Sequence, residues 1–210
     1  MKKIALFGGS GKTGQAFIPQ ALEAGHQIKA LARTPAKISQ ASPNLTVIEG
    51  DVLIPSDVAE VVADADVVVS LFGQVKGSPK DVQTRGTQHI VEAMQQHGVD
   101  RIISLSGGGL PYEADEPKFP DRMIRFIMKV MVPHVLEDAK GHAEVLVQSG
   151  LNWTIVRGPR LTDDPFTGDY RVGWVGVNAS TKVGRPDLAH FILDLVETSK
   201  YTEQMPMVSY

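Results

Sequence analysis

Short apolar segments alternate along the chain with longer stretches in which apolar residues repeat at helical spacing. The apolar segments predict β-strands at residues 4–7, 27–32, 45–49, 66–71, 101–105 and 152–156. Helical patterns lie between them at residues 15–24, 57–62 and 81–97, and Gly25 and Gly98 follow two of these helices. This alternation predicts an α/β fold, a three-layer doubly wound parallel sheet whose ligands bind beyond the carboxyl ends of the strands.

The second half of the chain departs from simple alternation. Between residues 107 and 150, a loop rich in glycine and proline precedes two predicted helices, at residues 121–132 and 135–148. Short strands near residues 170–177, a helix over 186–197 and a last strand near Met207 follow the sixth strand. We therefore expect residues 1–210 to form a single domain with a small C-terminal substrate lobe, in which segments 107–135 and 158–182 cover the pocket.

A glycine-rich turn, Gly8-Gly9-Ser10-Gly11-Lys12-Thr13-Gly14, directly follows the first predicted strand and precedes the first helix. Glycines in this context let the backbone approach a pyrophosphate, which the helix N-terminus then stabilises. The turn fits two spacings, Gly9-x-Gly11-x-x-Gly14 and Gly8-x-x-Gly11-x-x-Gly14. A nucleoside-triphosphate P-loop would need glycine where the chain has Leu6, so the turn predicts a dinucleotide site in an NAD(P)-binding Rossmann fold.

Composition narrows the functional classes. The 210 residues include no cysteine, which rules out disulfides, thiolate catalysis and cysteine metal sites, and we expect no metal. A formal net charge of −3 does not suggest a nucleic-acid-binding protein. The first strand starts almost at Met1 and no apolar run is long enough to span a membrane, so we expect a cytoplasmic protein with neither membrane nor nucleic acid among its partners.

Arg33 closes the second strand, about 20 residues after the glycine turn, where the fold places the residue that reads the adenosine ribose. An acidic residue there favours NAD, whereas arginine suits the 2′-phosphate of NADP. Lys37, one helical turn further on, offers a second positive charge. We expect NADP(H) to be preferred over NAD(H), with two solvated surface cations as the alternative. Asp51 and Val52, which follow the third strand, are expected beside the adenine.

Further motifs make the chain similar to the atypical branch of the short-chain dehydrogenase/reductase superfamily, the NAD(P)H-binding proteins that include NADPH-dependent flavin reductase (biliverdin-IXβ reductase). The resemblance covers nearly the whole chain in order. It rests on the glycine turn and on KIALFG (3–8), LAR (31–33), GDV (50–52), AM (93–94), HGVD (97–100), SGL (149–151), PFTGDY (165–170) and DLAHF (187–191). Fold and cofactor class follow from this resemblance better than substrate, because fold does not fix function.

The resemblance implies a role for each matching site residue. The pyrophosphate would be held by Gly8, Gly9, Ser10, Gly11, Lys12 and Thr13, and the 2′-phosphate by Arg33 and Lys37. The bound cofactor would be lined by Ser70, Leu71, Phe72 and Gly73, with Ser104 and Ser106 near the nicotinamide and Gly158, Pro159 and Arg160 over its carboxamide side. Gln74 replaces the relative's arginine in the loop after the fourth strand, so a charge over the cofactor is lost.

The superfamily's Tyr-x-x-x-Lys pair is incomplete. Lys140 and Glu144 have the spacing that follows the tyrosine in many relatives, and Leu136 then stands at the tyrosine position. A leucine cannot transfer a proton, so alcohol–ketone chemistry lacks its acid/base. Lys140 is expected either to bind the nicotinamide ribose or to be a solvated lysine paired with Glu144. His142 is a candidate replacement acid, and Ser106, Lys140 and Tyr112 are the candidate catalytic residues.

A planar hydride acceptor that takes its proton from water needs no such acid. We therefore expect an NADPH-dependent reductase, a monomer or weak homodimer, whose acceptor is a flavin (FMN or FAD as substrate), a biliverdin-type tetrapyrrole or a quinone. An apolar platform for the acceptor is expected from Tyr112, Phe119, Leu161, Phe166 and Trp174, with Arg160 for an anionic group. The alternatives are a non-catalytic NADP-sensing regulatory protein and an epimerase-like enzyme, which Leu136 disfavours.

The predicted helix over 121–132 is amphipathic. It carries Arg122, Arg125 and Lys129 against the apolar residues Ile124, Ile127, Met128 and Met131. We expect it to pack beside the pocket. Contact with a membrane or a partner, and a methionine-rich lid, are the alternatives.

Overall fold

The computed structural model describes residues 1–210, apart from the side chain of Met128, in ten strands and six α-helices. The strands are β1 (Lys3–Phe7), β2 (Gln27–Ala32), β3 (Leu45–Glu49), β4 (Val67–Ser70), β5 (Arg101–Gly107), β6 (Asn152–Gly158), β7 (Arg160–Thr162), β8 (Arg171–Gly173), β9 (Lys182–Gly184) and β10 (Met207–Ser209). The helices are α1 (Lys12–Glu23), α2 (Pro55–Val62), α3 (Val82–His97), α4 (Phe119–Met131), α5 (Pro133–Gln148) and α6 (Arg185–Glu197).

Eight strands form one sheet in the order β3-β2-β1-β4-β5-β6-β10-β8, and only the β10–β8 pair is antiparallel. The chain builds outward from β1 to β3 and then returns to place β4 on the other side of β1. Phe7 pairs with Ser70, and Ser70 pairs with Ser104, so the carboxyl ends of β1, β4 and β5 lie side by side. Doubly wound sheets bind their ligands at such a reversal of strand order.

Two apolar cores cover the two faces of the sheet. Ile4 and Leu6 of β1 pack with α1 and α6 on one face, while Ala5 and Phe7 pack with α2, α3 and α5 on the other. This alternation follows from the strand period of two, and it explains why residues 4–7 of β1 and 67–69 of β4 are apolar on both faces. The expected three-layer, doubly wound α/β fold is confirmed.

Differences from the predicted elements are small and local. α1 begins at Lys12 because Gly11 already occupies the N-cap position, and α4 begins at Phe119. β7 and β9 have no predicted counterpart; they pair with each other in a separate parallel sheet, and three residues are too few for a periodic pattern. The Met128 side chain, predicted on the apolar side of α4, lies outside the described residues. Elsewhere in the chain, the structure contains no helix whose length and apolar character would let it cross a membrane.

Candidate cofactor and substrate site

The surrounding backbone requires two glycines in the turn after β1. Gly8 has a φ of +84°, and a Cβ there would lie 2.5 Å from the backbone nitrogen of Phe72. A Cβ on Gly14 would lie 2.4 Å from the carbonyl oxygen of Gly8. By contrast, a Cβ on Gly9 would meet only side-chain methyl groups, the nearest at 3.1 Å. The geometry therefore favours the Gly8-x-x-Gly11-x-x-Gly14 spacing.

The N-terminus of α1 is available to an anion. Gly11 is its N-cap, no side chain caps the helix, and its first turn holds no acidic residue. Within the part of the chain that the structure describes, the backbone N–H groups of Lys12, Thr13 and Gly14 donate to no protein acceptor. Free N–H groups and the positive end of the helix dipole together stabilise negative charge. The turn therefore fits the pyrophosphate of a dinucleotide.

Lys12 connects the turn to the segment after β7. Its ammonium lies 2.6 Å from the carboxylate of Asp163, which also lies 2.5 Å from the guanidinium of Arg185. The hydrogen bond from Lys12 and the nearby charge of Arg185 lower the pKa of Asp163. Both Lys12 and Asp163 are largely exposed, so solvent weakens their ion pair.

Arg33 and Lys37 are exposed after β2, and neither forms an ion pair with the described side chains. Asp51 is half-buried after β3. Its backbone N–H donates to Asp57 at 2.9 Å, and its carboxylate accepts the N–H of Leu53 at 3.0 Å. The hydrogen bonds to Asp57 and Leu53 thus hold Asp51 in place at the carboxyl end of β3.

Val52 and Phe72, both predicted beside the cofactor, meet at Gly86 of α3. A Cβ on Gly86 would lie 2.8 Å from the ring of Phe72 and 2.9 Å from a methyl group of Val52. His89 Nδ1 lies 3.0 Å from the carbonyl oxygen of Val52. The absence of a side chain at Gly86 thus makes room for Val52 and Phe72. The sequence does not reveal this role, because an isolated glycine within a helical pattern gives no sign of what packs against it.

A buried carboxylate, Asp138 of α5, binds the N-terminal turn of α3. It accepts the backbone N–H groups of Gln83 at 3.0 Å and Thr84 at 2.8 Å, and the Thr84 hydroxyl at 2.7 Å. The side-chain amide of Gln74 donates to the same carboxylate at 3.0 Å. Gln74, which stands where an arginine was expected, therefore connects the loop after β4 to α5.

Ser104 and Ser106 of β5 have different surroundings. The buried Ser104 hydroxyl lies 2.7 Å from Nε2 of His142 on α5. Burial lowers the pKa of His142 to about 4, and the ring is fully enclosed, so His142 is not available to protonate a substrate. The Ser106 hydroxyl is buried and has no hydrogen-bond partner among the described residues, which leaves it free to bind a ligand.

A cleft of about 550 Å³ lies beyond the carboxyl ends of β5 and β6. Glycines from both strand ends line it, together with residues of α4, of the turn after β8 and of β10. The lining residues are Gly107, Gly108, Gly109, Asp121, Ile124, Arg125, Gly158, Pro159, Arg160, Val175, Gly176, Ala179, Ser180, Thr181 and Met207. No tyrosine, histidine or lysine is among these described lining residues.

Arg157 of β6 is fully buried next to the cleft residue Gly158. Its guanidinium donates two hydrogen bonds of 2.8 Å to Asp115, and others to the carbonyl oxygens of Met205 at 2.7 Å and Leu110 at 2.9 Å. Asp115 also accepts the N–H groups of Tyr112 at 2.9 Å and Val175 at 3.1 Å.

The pKa of Asp115 reflects this pairing. Burial raises the pKa, but the hydrogen bonds and charge of Arg157, with the two backbone N–H groups, outweigh burial and lower it overall. Asp115 is therefore ionised at physiological pH. Together Arg157 and Asp115 fix three segments around the cleft: the loop after β5, the turn after β8 and the approach to β10.

Residues 8–199 match the sequence profile of a family described as NAD(P)H-binding. The chain belongs to this NAD(P)H-binding family. A chloroplastic protein of Arabidopsis thaliana, At2g34460, is 29% identical over 182 residues, which cover 80% of this chain but 62% of that protein. Protein YwnB of Bacillus subtilis is 24% identical over 223 residues and covers 99% of this chain and 98% of its own length. This chain thus spans less than two thirds of the plant relative.

A solved short-chain dehydrogenase/reductase from Veillonella parvula, in complex with NADP, has the same fold. The TM-score is 0.79 at 21% sequence identity, over 100% of this chain and 95% of that one. The family match confirms the expected NAD(P)H-binding class, and the fold shared with this short-chain dehydrogenase/reductase confirms the NAD(P)-binding Rossmann fold.

In this member of the NAD(P)H-binding family, the apolar residues predicted to form the acceptor platform do not line the cleft. The cleft lining includes Arg160 but none of Tyr112, Phe119, Leu161, Phe166 and Trp174. Tyr112 packs its ring against the Arg157 guanidinium, 5.6 Å from the ring centroid, and Phe166 packs against His190 with ring centroids 5.2 Å apart. Phe119 is 74% exposed. The lining comes instead from α4, which the sequence placed beside the pocket, and from the turn after β8, which lies within the segment 158–182 expected to cover it.

The helix predicted to carry the catalytic lysine shows a clear division of its faces. Leu136, at the tyrosine position, is buried, whereas Lys140 is exposed. Among the described side chains, Lys140 and Glu144 form no ion pair, so the paired lysine considered above is not observed. Asp115 and Arg157 are site residues that sequence reasoning missed, because they lie 42 positions apart in the chain.

Proposed function

We propose that the protein is an NADPH-dependent reductase that transfers a hydride to a planar acceptor such as a flavin, a biliverdin-type tetrapyrrole or a quinone. The observation that carries this proposal is the cleft beyond β5 and β6, which is largely apolar, has glycines at both strand ends and lacks tyrosine, histidine and lysine among its described lining residues. With leucine at the superfamily's tyrosine position, an acceptor that takes its proton from water is favoured over a ketone or sugar.

The cofactor site is assigned to the carboxyl ends of β1 to β6. The N–H groups of the turn Gly8–Thr13 bind the pyrophosphate, and the exposed cations Arg33 and Lys37 bind the 2′-phosphate. Asp51 and Val52 flank the adenine, and Ser70 to Gly73 line the cofactor. The NADP bound to the Veillonella parvula relative supports this choice of cofactor. When bound, the nicotinamide supplies the hydride.

The chain's own residues position the reacting partners. Ser106 offers its unpartnered hydroxyl to the nicotinamide carboxamide, while Ser104 is held by His142 and maintains the spacing of β5 and α5. Glycines at positions 107–109 let a flat ring approach the backbone closely, since no side chain intervenes. Arg125 and Arg160 line the cleft and suit a carboxylate or phosphate on the acceptor. We assign Lys140 and Tyr112 at most positioning roles.

The test follows the absorbance of reduced nicotinamide in mixtures of NADPH with FMN, biliverdin or a quinone. Saturable NADPH oxidation establishes a reductase, and the best acceptor identifies its class. Arg33→Ala is expected to raise the KM for NADPH by about tenfold to a hundredfold, because it removes a charge-assisted hydrogen bond to the 2′-phosphate. The KM for NADH, which lacks this phosphate, should not change. Arg171→Ala, an exposed arginine at the far edge of the sheet, is the matched control. Equal loss with NADPH and NADH would contradict the assigned 2′-phosphate site.

A non-catalytic NADP-sensing regulatory protein is the second candidate, favoured by the same buried Leu136. Such a protein would bind NADP(H) tightly and would not oxidise NADPH with any acceptor. Turnover in the absorbance assay excludes this candidate, whereas tight binding without turnover excludes the reductase. An epimerase also needs a proton-transfer group at the tyrosine position, so Leu136 keeps it the least supported function.

A further inference from the structure

One helix, α4, exposes a continuous apolar face. Phe119, Phe126, Val130 and Met131 are 74%, 67%, 64% and 74% exposed, and Met123 and Ile127 are about half exposed. At helical spacing these residues fall on one side of the helix. Single exposed apolar residues are ordinary on protein surfaces, but a contiguous apolar patch marks an interaction surface.

Positive charge borders this face. The segment 118–131 contains four basic residues and a single acidic one, although the whole chain has a formal net charge of −3. Lys118, Arg122 and Lys129 are exposed, and helical spacing places Arg122 and Lys129 along one edge of the apolar face. Arg125 differs, because it lies 3.4 Å from the buried Asp115 and lines the cleft.

We propose that α4 docks the protein on an anionic lipid bilayer, the membrane contact that the sequence of this helix left open as an alternative. The apolar face lies at the boundary between headgroups and acyl chains, and Arg122 and Lys129 lie at the level of the lipid phosphates. An amphipathic helix with phenylalanines on one side and basic residues beside them has the composition of helices that lie in a membrane interface. Each cation near an anionic surface adds to the attraction.

Charge also distinguishes the bilayer from a second copy of this chain. A second copy would bring the same excess of positive charge to the contact, and like charges facing each other oppose association. Anionic lipids have the opposite sign. Since Ile124 and Arg125 of the same helix line the cleft, docking through α4 brings the cleft close to the bilayer surface.

The experiment measures co-sedimentation of the full chain with vesicles of phosphatidylcholine mixed with phosphatidylglycerol, and with vesicles of phosphatidylcholine alone. Binding is expected to the mixed vesicles and to weaken with added salt. Phe126→Gln is expected to reduce partitioning about tenfold or more, and Lys129→Gln about fivefold. Val147→Gln replaces a side chain that is 52% exposed on α5 and is expected to change nothing.

Three results overturn the proposal. The first is the absence of binding to the mixed vesicles, and the second is binding that Phe126→Gln leaves unchanged. The third is a concentration-dependent dimer that Phe126→Gln dissociates while vesicles bind neither form, which assigns the face to self-association. Thermal unfolding of each variant shows that the fold is retained. The vesicle assay contains no NADPH and no acceptor, so its outcome is independent of the proposed reductase activity.

Discussion

Replacing Asp115 by alanine leaves the guanidinium of Arg157 buried without its carboxylate. Arg157 is fully buried, and Asp115 supplies two of its hydrogen bonds, both of 2.8 Å. Removing one partner of a buried ion pair destabilises a protein by about 3–5 kcal/mol. Arg157 keeps the carbonyl oxygens of Met205 and Leu110, so we expect the lower end, about 3 kcal/mol.

Urea unfolding measures this loss. A destabilisation of about 3 kcal/mol lowers the urea midpoint by about 1 M or more. The double variant with Arg157→Met also removes the buried cation, and we expect it to be more stable than Asp115→Ala alone. Asp194→Ala is the control, since the ion pair of Asp194 with Lys200 is exposed and contributes about 0.5 kcal/mol or less. A midpoint for Asp115→Ala equal to that of this control would refute the reasoning.

Two further predictions concern the glycine turn and the buried histidine. Gly14→Ala places a Cβ 2.4 Å from the carbonyl oxygen of Gly8, so we expect the affinity for NADPH to fall at least tenfold in a fluorescence titration. Gly9→Ala, the control, should lower the affinity far less. Equal effects of the two substitutions would contradict the chosen spacing. The pKa of His142 is about 4 in the folded state against an ordinary 6.5, so the unfolded state binds the proton more tightly. The free energy of unfolding is therefore highest above pH 6.5 and falls by about 3 kcal/mol as the pH is lowered to 4. His142→Asn should flatten this pH dependence of the free energy of unfolding, and an unchanged slope would show that other groups cause it.

Local signals were sufficient for the parts of the fold that depend on neighbouring residues. Residues 4–7 of β1 and 67–69 of β4 are apolar because both faces of the sheet are covered there, and that pattern is visible in any short window. The glycine turn is likewise local, since Gly8 and Gly14 contact each other across a few residues. The sequence left its two spacings open, because the backbone of Leu71 and Phe72, which passes next to Gly8 after β4, decides between them.

The side-chain interactions that shape the cleft could not be predicted in the same way. Asp115 and Arg157 are separated by 42 positions in sequence and meet only when β6 is in place. The exposed aromatic Phe166 has the composition expected of a platform residue but packs on α6 instead, against His190. Lys140 illustrates a different difficulty, because its spacing to Glu144 fits both a cofactor contact and a surface lysine, and spacing alone cannot say which side of α5 faces the sheet.

The Asp115–Arg157 pair has a consequence for how proteins of this architecture diverge. It fixes the loop after β5 and the turn after β8 through two backbone N–H groups, at Tyr112 and Val175, rather than through their side chains. Residues between these points can therefore vary in length and chemistry while their ends stay in register. The dinucleotide turn lies on β1 and α1 and is untouched by such changes. The ligand that the cleft binds can thus change without any change in the dinucleotide turn, provided that the two charged residues change together or not at all.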